Sequence, residues 1–285
     1  MAENLPIKTI LGSPLALIGG AKIYMKPVFP SYIIKRRAKA ALKGRVFKAF
    51  AIAVLPSAVV VLLSALMFWF MPGVKESFEL AVSGSFSSLE ARETYLSSIM
   101  DNCMWATNLL LALFSFLTVG SAKLCLDMVR GKDVKVRDIF CFYDKWYIAA
   151  IYPALNLIVS FLWSKLYSVL EAGIPQAVLS VVALAVDVAI LVVGFKLMFI
   201  DYALADNDCK SFIRAVKTSW HLVGFNTVLN SVMLTFSFLG WAFFSAVTCG
   251  IAAIYMLPYF NLAAATLYEA NKRYNTDTIK TNSYQ

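Results

Sequence analysis

Between Lys217 and Glu269 the chain runs for 51 consecutive residues without an Asp, Glu, Lys or Arg. A fold surrounded by water must interrupt such a run with surface charge, so this stretch belongs in an apolar medium. A second charge-free run extends from Ala49 to Val74. Composition agrees, with 60% hydrophobic and 15% charged residues, against about 45–50% and about 25% in soluble domains. Soluble, disordered and collagen-like chains are excluded. A polytopic membrane protein remains.

A helix rising 1.5 Å per residue needs about 20 apolar residues to cross about 30 Å of hydrocarbon. Six segments meet that length: 49–71, 102–122, 147–170, 174–201 and two within 218–268. The last two are joined at Thr248-Cys249-Gly250, where glycine accepts the backbone angles of a tight turn. Backbone groups in lipid must be satisfied within each segment, and no ten-residue alternating strands occur, so the fold class is all-α. The chain divides into an N-terminal extension (1–31), a basic amphipathic lead-in (32–48), a six-helix transmembrane domain (49–272) and a tail (273–285). Within the extension, Ile10–Ala21 is apolar but too short to span, and its flanking charges are wrong for a signal peptide. It reads as an uncleaved lead-in.

Orientation follows from the cations. On this span assignment 22 of the 26 Lys and Arg fall on one side, which places both termini in the cytoplasm. Trp69, Trp105, Trp163 and Trp241 then fall near outer ends of spans, and Trp146 and Trp220 near inner ends, as an aromatic belt requires. Offsetting the chain by 74 residues brings Gly120 onto Gly194, Asp127 onto Asp201, Trp146 onto Trp220 and Leu155-Asn156 onto Leu229-Asn230. The match reads as a parallel internal repeat: an inward span, a cytoplasmic amphipathic helix, then an outward span.

In the second of these helices, Cys209, Phe212, Ile213, Val216, Trp220 and Val223 share one face at 100° per residue. Lys210, Arg214, Lys217 and His221 share another. Its counterpart groups Val136, Ile139, Phe140, Tyr143 and Trp146, with Arg137 and Asp144 off that face. Such helices lie in the headgroup plane or dock on the bundle. The segment before span one adds Lys35, Arg36, Arg37, Lys39, Lys43, Arg45 and Lys48 without an acid. Near an anionic leaflet each cation contributes about 1 kcal/mol. The net charge of +9 is explained by that leaflet, and no nucleic-acid partner is expected.

Enzyme signatures are absent: no HExxH, no glycine-rich phosphate loop and no GxSxG turn occur. Five cysteines lack a CxxC pair and there is one histidine, so no metal and no cofactor are expected. Asp187 is the one acid deep within a span, and intramembrane acids face a bundle interior or a water cavity. Asn156, Asn230 and Asn261 fall within about two helical turns of its level. Two readings stay open for this midplane cluster: interhelical hydrogen bonding by a neutral aspartate, or a cation or proton site.

Ser237-Phe238-Leu239-Gly240-Trp241, Thr248-Cys249-Gly250-Ile251, Pro258-Tyr259 and Tyr268 stand in an order and spacing that resembles a bacterial six-span integral-membrane family of unknown function. That family is distantly similar to the membrane domain attached to some glycerophosphodiester phosphodiesterases. Asp206-Asn207 with Ser219 and Gly224, and Lys39-Ala40 with Leu42-Lys43-Gly44, extend the likeness to residues 35–272. The resemblance implies a bacterial cell membrane, and neither a reaction nor a catalytic residue. Structurally, Gly240 and Gly250 suit close approach and a turn, and Pro258 a kink, while Tyr259 bridges polar and apolar layers. The expected function is a non-enzymatic membrane module acting on lipids or a membrane protein partner, as an accessory or assembly factor. The alternative is a carrier or channel for a small solute or lipid, built on the cluster around Asp187.

Overall fold

The computed structural model describes residues 17–18, 21–22, 31–70, 104–171, 173, 175–248 and 250–282. Most of the lead-in at Ile10–Ala21, the connection at 72–101, Cys103, Cys249 and the side chain of Trp69 lie outside the described residues. A two-residue antiparallel pairing joins β1 (Leu17–Ile18) to β2 (Ala21–Lys22). Everything else described is helix or turn. The helices are α1 (Ser31–Leu42), α2 (Val46–Phe70), α3 (Met104–Leu113), α4 (Ser115–Val129), α5 (Trp146–Glu171), α6 (Gln176–Lys196), α7 (Ile200–Asp206), α8 (Phe212–Leu222), α9 (Phe225–Val247) and α10 (Ala253–Asn282).

Among the described residues, four helical stretches are long and apolar enough to cross a membrane: Val46–Met67, Val136–Glu171, Ala177–Asp206 and Phe225–Val247. α3 and α4, bent by 53° at Phe114, make a fifth when taken together. α10 does not qualify by composition, because Asn261, Thr266, Glu269 and several tyrosines dilute its apolar residues. It is instead the hub of the bundle. α1, α2, α4, α8 and α9 all pack on it, burying Leu262, Ala263, Ala265, Leu267 and Tyr268. A helix hidden by protein can carry polar side chains, since its neighbours rather than lipid answer them. The opposite holds for α5 and α6. Only 6% of the apolar window of each is buried in the chain, and α6 packs chiefly on α5.

The turn expected near Gly250 is present. α9 ends at Val247, Gly250 adopts φ +88°, and its N–H bonds the Ser245 carbonyl at 2.7 Å. Pro258 falls in the second turn of a continuous α10, so its missing donor removes one bond near the helix start.

The two segments expected to be amphipathic helices depart in part from their predicted faces. α8 is capped by Ser211, whose side chain accepts from the Arg214 N–H. Of the predicted apolar face, Cys209 and Val223 are buried and Phe212 and Val216 pack on the core, while Ile213 and Trp220 are exposed and Ala215, Ser219 and Leu222 join the buried side. Small residues share the docking face because α7 packs closely on it. The counterpart at Val136–Lys145 is two 3-10 turns rather than an α-helix. It buries Ile139 and Phe142 and leaves Phe140, Tyr143 and Trp146 exposed.

The positions paired by the 74-residue match differ in their surroundings. Gly120 packs so closely on the first 3-10 turn that a Cβ there would lie 2.0 Å from the Ile139 carbonyl oxygen, whereas Gly194 has open space. Asp127 pairs with Lys132 at 2.8 Å, and Asp201 sits beyond the turn at 197–199 that separates α6 from α7. Gly240, expected at a close approach, also has nothing within 4 Å. The contrast gives a test. Gly120→Ala should destabilise the fold by about 1–3 kcal/mol through overpacking. Gly194→Ala should be neutral or stabilising by up to about 1 kcal/mol. Thermal midpoints in detergent measure both, and equal shifts would refute the packing difference.

Candidate functional site

Three polar constellations stand out. The first is an ion-paired clamp across α4, α7 and α10. Arg130, the residue that closes α4, donates from Nη2 to Asp206 Oδ1 and to Glu269 Oε2, each at 2.8 Å. Lys272 Nζ also donates to Asp206, as does the Tyr268 hydroxyl at 3.1 Å, and Arg273 pairs with Glu269 at 3.1 Å. Burial alone would lower the Arg130 pKa. The hydrogen bonds and charges of Glu269 and Asp206 outweigh it and raise that pKa further, so the guanidinium stays charged. Each carboxylate is answered by two cations. The group is a fastener, with no unengaged acid or base for chemistry.

The second is a cavity of about 200 Å³ between α2, α4, α7 and α10. Six of its ten lining residues carry side-chain oxygen: Ser57, Thr118, Ser121, Asp201, Tyr202 and Asn261. Its wall rests on a proline. Pro56 has no N–H, so the Ile52 carbonyl one turn earlier loses its helical donor. The Ser121 hydroxyl replaces it, donating to that carbonyl at 3.0 Å.

The third is the exposed α5–α6 hairpin. Asp187 lies about 16 Å along α6 from Gln176 and about 13 Å from Lys196. Counted from the connection between the helices, Asn156 on α5 lies within about one helical turn of the same level. Both are exposed. The four residues of the expected midplane cluster therefore do not share one environment. Asn230 is buried on α9 with neither end of its amide hydrogen-bonded. Asn261 lines the cavity beside Asp201, and its backbone carbonyl accepts from the Tyr202 hydroxyl at 3.2 Å. Lys196 is pinned, not trailing into solvent: its Nζ donates to the Val223 carbonyl at 2.8 Å, and its own carbonyl accepts from Ser219 Oγ.

The basic residues fall into two groups. Arg36, Arg37, Lys39, Lys43, Lys48, Lys210, Arg214 and Lys217 are exposed. Lys35 instead turns inward, donating to the Ser237 carbonyl at 3.0 Å and lying 4.8 Å from the Phe238 ring centre. Burial lowers its pKa. Arg45 donates to the Lys132 carbonyl at 2.9 Å, tying the start of α2 to the loop after α4. The motif aromatics pack in the same region: Tyr259 lies edge-on to Phe238 with centroids 4.9 Å apart, and Trp241 tilts over Tyr255 at 5.7 Å.

Among the described residues no three His, Cys, Asp or Glu side chains gather as a metal site would require. Burial pushes the Cys209 thiol up to about 12 and raises that of Cys141, which keeps both protonated and poorly nucleophilic. The clamp and the Asp201 cavity were missed at the level of sequence. No local signal pairs their members, which come from segments far apart in the chain.

One family model, described as a protein of unknown function (DUF975), matches residues 146–274, from the start of α5 into α10. It covers less than half of the chain and includes the Ser237–Tyr268 motifs. Neither a link to phosphodiesterase-associated domains nor a span count comes with it. No curated protein and no solved structure matches the chain.

The clamp and the proline-serine pair are separately testable. Arg130→Ala leaves two carboxylates without their shared cation and should cost about 2–4 kcal/mol, whereas Glu269→Gln should cost less. Unfolding in graded denaturing detergent reads the difference, and a cost near zero for Arg130→Ala would show that the clamp contributes nothing. Ser121→Ala should cost about 1 kcal/mol, and much less in a Pro56→Ala background, where the helix supplies its own donor. Equal costs in the two backgrounds would mean that Ser121 does not serve the Ile52 carbonyl.

Proposed function

We propose that the chain is a non-enzymatic membrane module, an accessory or assembly factor, that docks a transmembrane helix of a partner protein along α5–α6. In this reading α10 is the sixth span, both termini are cytoplasmic, and the clamp lies at the cytoplasmic ends of the helices. The exposed cations of α1 and α8 are then positioned for anionic headgroups. Exposed Phe47, Tyr143, Trp146, Trp220 and Phe225 sit beside them as interfacial aromatics.

The observation that carries the reading is the exposed position of Asp187 in the middle of α6. An acid facing hydrocarbon at that depth costs about 2.5–3.5 kcal/mol on insertion scales, and more by simulation. A partner helix presenting a hydrogen-bond donor at the level of Asp187 and Asn156 removes that cost. Such interhelical bonds contribute about 0.6–2 kcal/mol. The rest of α5 and α6 is mainly apolar, with Lys165, Glu171 and Lys196 toward the helix ends, and supplies contact area on either side.

Photo-crosslinking residues placed at Leu184 and Leu191, one turn to either side of Asp187, test this in native membranes. The expected result is one discrete protein adduct at both positions, lost on Asp187→Leu and absent when the probe sits at Phe243 on α9. Adducts with lipid alone at all three positions would sink the proposal. An adduct with a second copy of the chain would replace the accessory role by self-association.

A further inference from the structure

The cavity beside Asp201 is unlike the clamp in one respect: its acid has no counter-charge. None of the seven ion pairs among the described residues includes Asp201, and no Lys or Arg lines the cavity. The neighbouring hydroxyls do not supply protons to it either. Ser121 donates to the Ile52 carbonyl at 3.0 Å, Thr118 to the Ser115 carbonyl at 2.7 Å, and Tyr202 to the Asn261 carbonyl at 3.2 Å. A hydroxyl has one proton and two lone pairs. With those three protons committed to the backbone, what Ser121, Thr118 and Tyr202 retain is acceptor capacity.

A cavity with a carboxylate and several committed hydroxyls selects a ligand that brings positive charge. We propose that it binds a small monovalent cation, with Asp201 as counter-charge and Ser57, Thr118, Ser121, Tyr202 and Asn261 as neutral oxygen ligands. A divalent ion is disfavoured, because hard divalent cations take several carboxylates or retained waters, and no cluster of three acidic, His or Cys side chains occurs among the described residues. Size narrows the class further. A volume of about 200 Å³ exceeds a bare alkali ion and equals roughly six or seven waters at about 30 Å³ each. It therefore accepts a partly hydrated alkali ion or a small primary ammonium, two sources of the same chemistry. Ser57 is the one exposed residue of the lining, and Pro56 beside it is buried.

The geometry also gives the site a mechanical context. Asp201 and Tyr202 belong to α7, which follows the break at 197–199 and ends at Asp206 in the clamp. Cation binding at Asp201 thus draws together α2, α4, α7 and α10, the elements that line the cavity. Ligand that binds only the folded state raises its stability in a saturable way.

The test uses the full chain purified in detergent. Its thermal midpoint is titrated with sodium, potassium and methylammonium chloride, with N-methylglucamine chloride holding ionic strength constant. The expected result is a saturable rise of several degrees with at least one small cation and none with N-methylglucamine alone. The alkali and methylammonium arms tell the two sources apart. Asp201→Asn should abolish the rise, and Ser57→Ala should raise the half-saturating concentration several-fold. If Asp201→Asn does not fold, the wild-type titration and Ser57→Ala still decide. Midpoints independent of cation identity would mean that Asp201 simply holds a proton and would overturn the proposal, as would an undiminished rise in Asp201→Asn. The outcome is independent of whether α5–α6 docks a partner, since none of its residues lines the cavity.

Discussion

In apolar surroundings no water answers a polar group, so each donor, acceptor or charge must find its partner within the chain. Much of this architecture follows from that constraint. Pro56 leaves the Ile52 carbonyl without its helical donor, and Ser121 on another helix supplies one. The last carbonyl of α6 is met by Ser219, and the Lys196 ammonium by the carbonyl of Val223, so the end of α6 is fastened by a side chain of α8 and the backbone that follows it. Thr227 and Asn271 bond one another between α9 and α10 at 3.1 Å. These contacts act as register marks. They fix where along its length each helix meets its neighbour, which nonspecific apolar packing does not.

The same constraint explains why apolarity and burial run in opposite directions here. In a soluble protein the most hydrophobic helix is the most buried. In this chain α5 and α6 are strongly apolar and almost wholly uncovered, and α10, the most polar of the long helices, is enclosed along Leu262–Tyr268. Lipid suits the apolar surface of the pair, Asp187 apart, and protein takes the polar helix because only protein can return its hydrogen bonds. A hydropathy criterion therefore passes over the helix on which the bundle is assembled.

This inversion also sets what was legible in the sequence. The charge-free runs, the turn at Gly250, the helical character of the whole and the enrichment of exposed cations on α1 and α8 could all be read, because each is a local property of a stretch. The clamp could not. Arg130 and Glu269 are 139 positions apart and Arg130 and Asp206 are 76 apart, and nothing in either neighbourhood marks them as partners. The face of α8 was legible only in part: Cys209, Phe212, Val216 and Val223 face the core, and Ile213 and Trp220 do not. Periodicity finds the large apolar side chains, but the surface that docks also uses Ala215, Ser219 and Leu222, and small residues carry little hydropathic weight. Likewise Gly120 and Gly240 look alike as letters, and only the position of Ile139 separates a jammed glycine from a free one.

Three aspartates show how far the principle reaches. Asp206 is met by Arg130, Lys272 and Tyr268, and its environment is complete. Asp201, five residues earlier on the same short helix, is surrounded by oxygen and open volume, a set that becomes complete only when a positive charge enters. Asp187 lies on an uncovered helix, and in the proposed docking its complement comes from another molecule. A clamp, a small-ligand site and a docking surface thus differ in one variable, the source of the positive or donating group. Removing each acid charge should accordingly be felt in a different place: in the fold for Asp206, in ligand response for Asp201, and in association for Asp187.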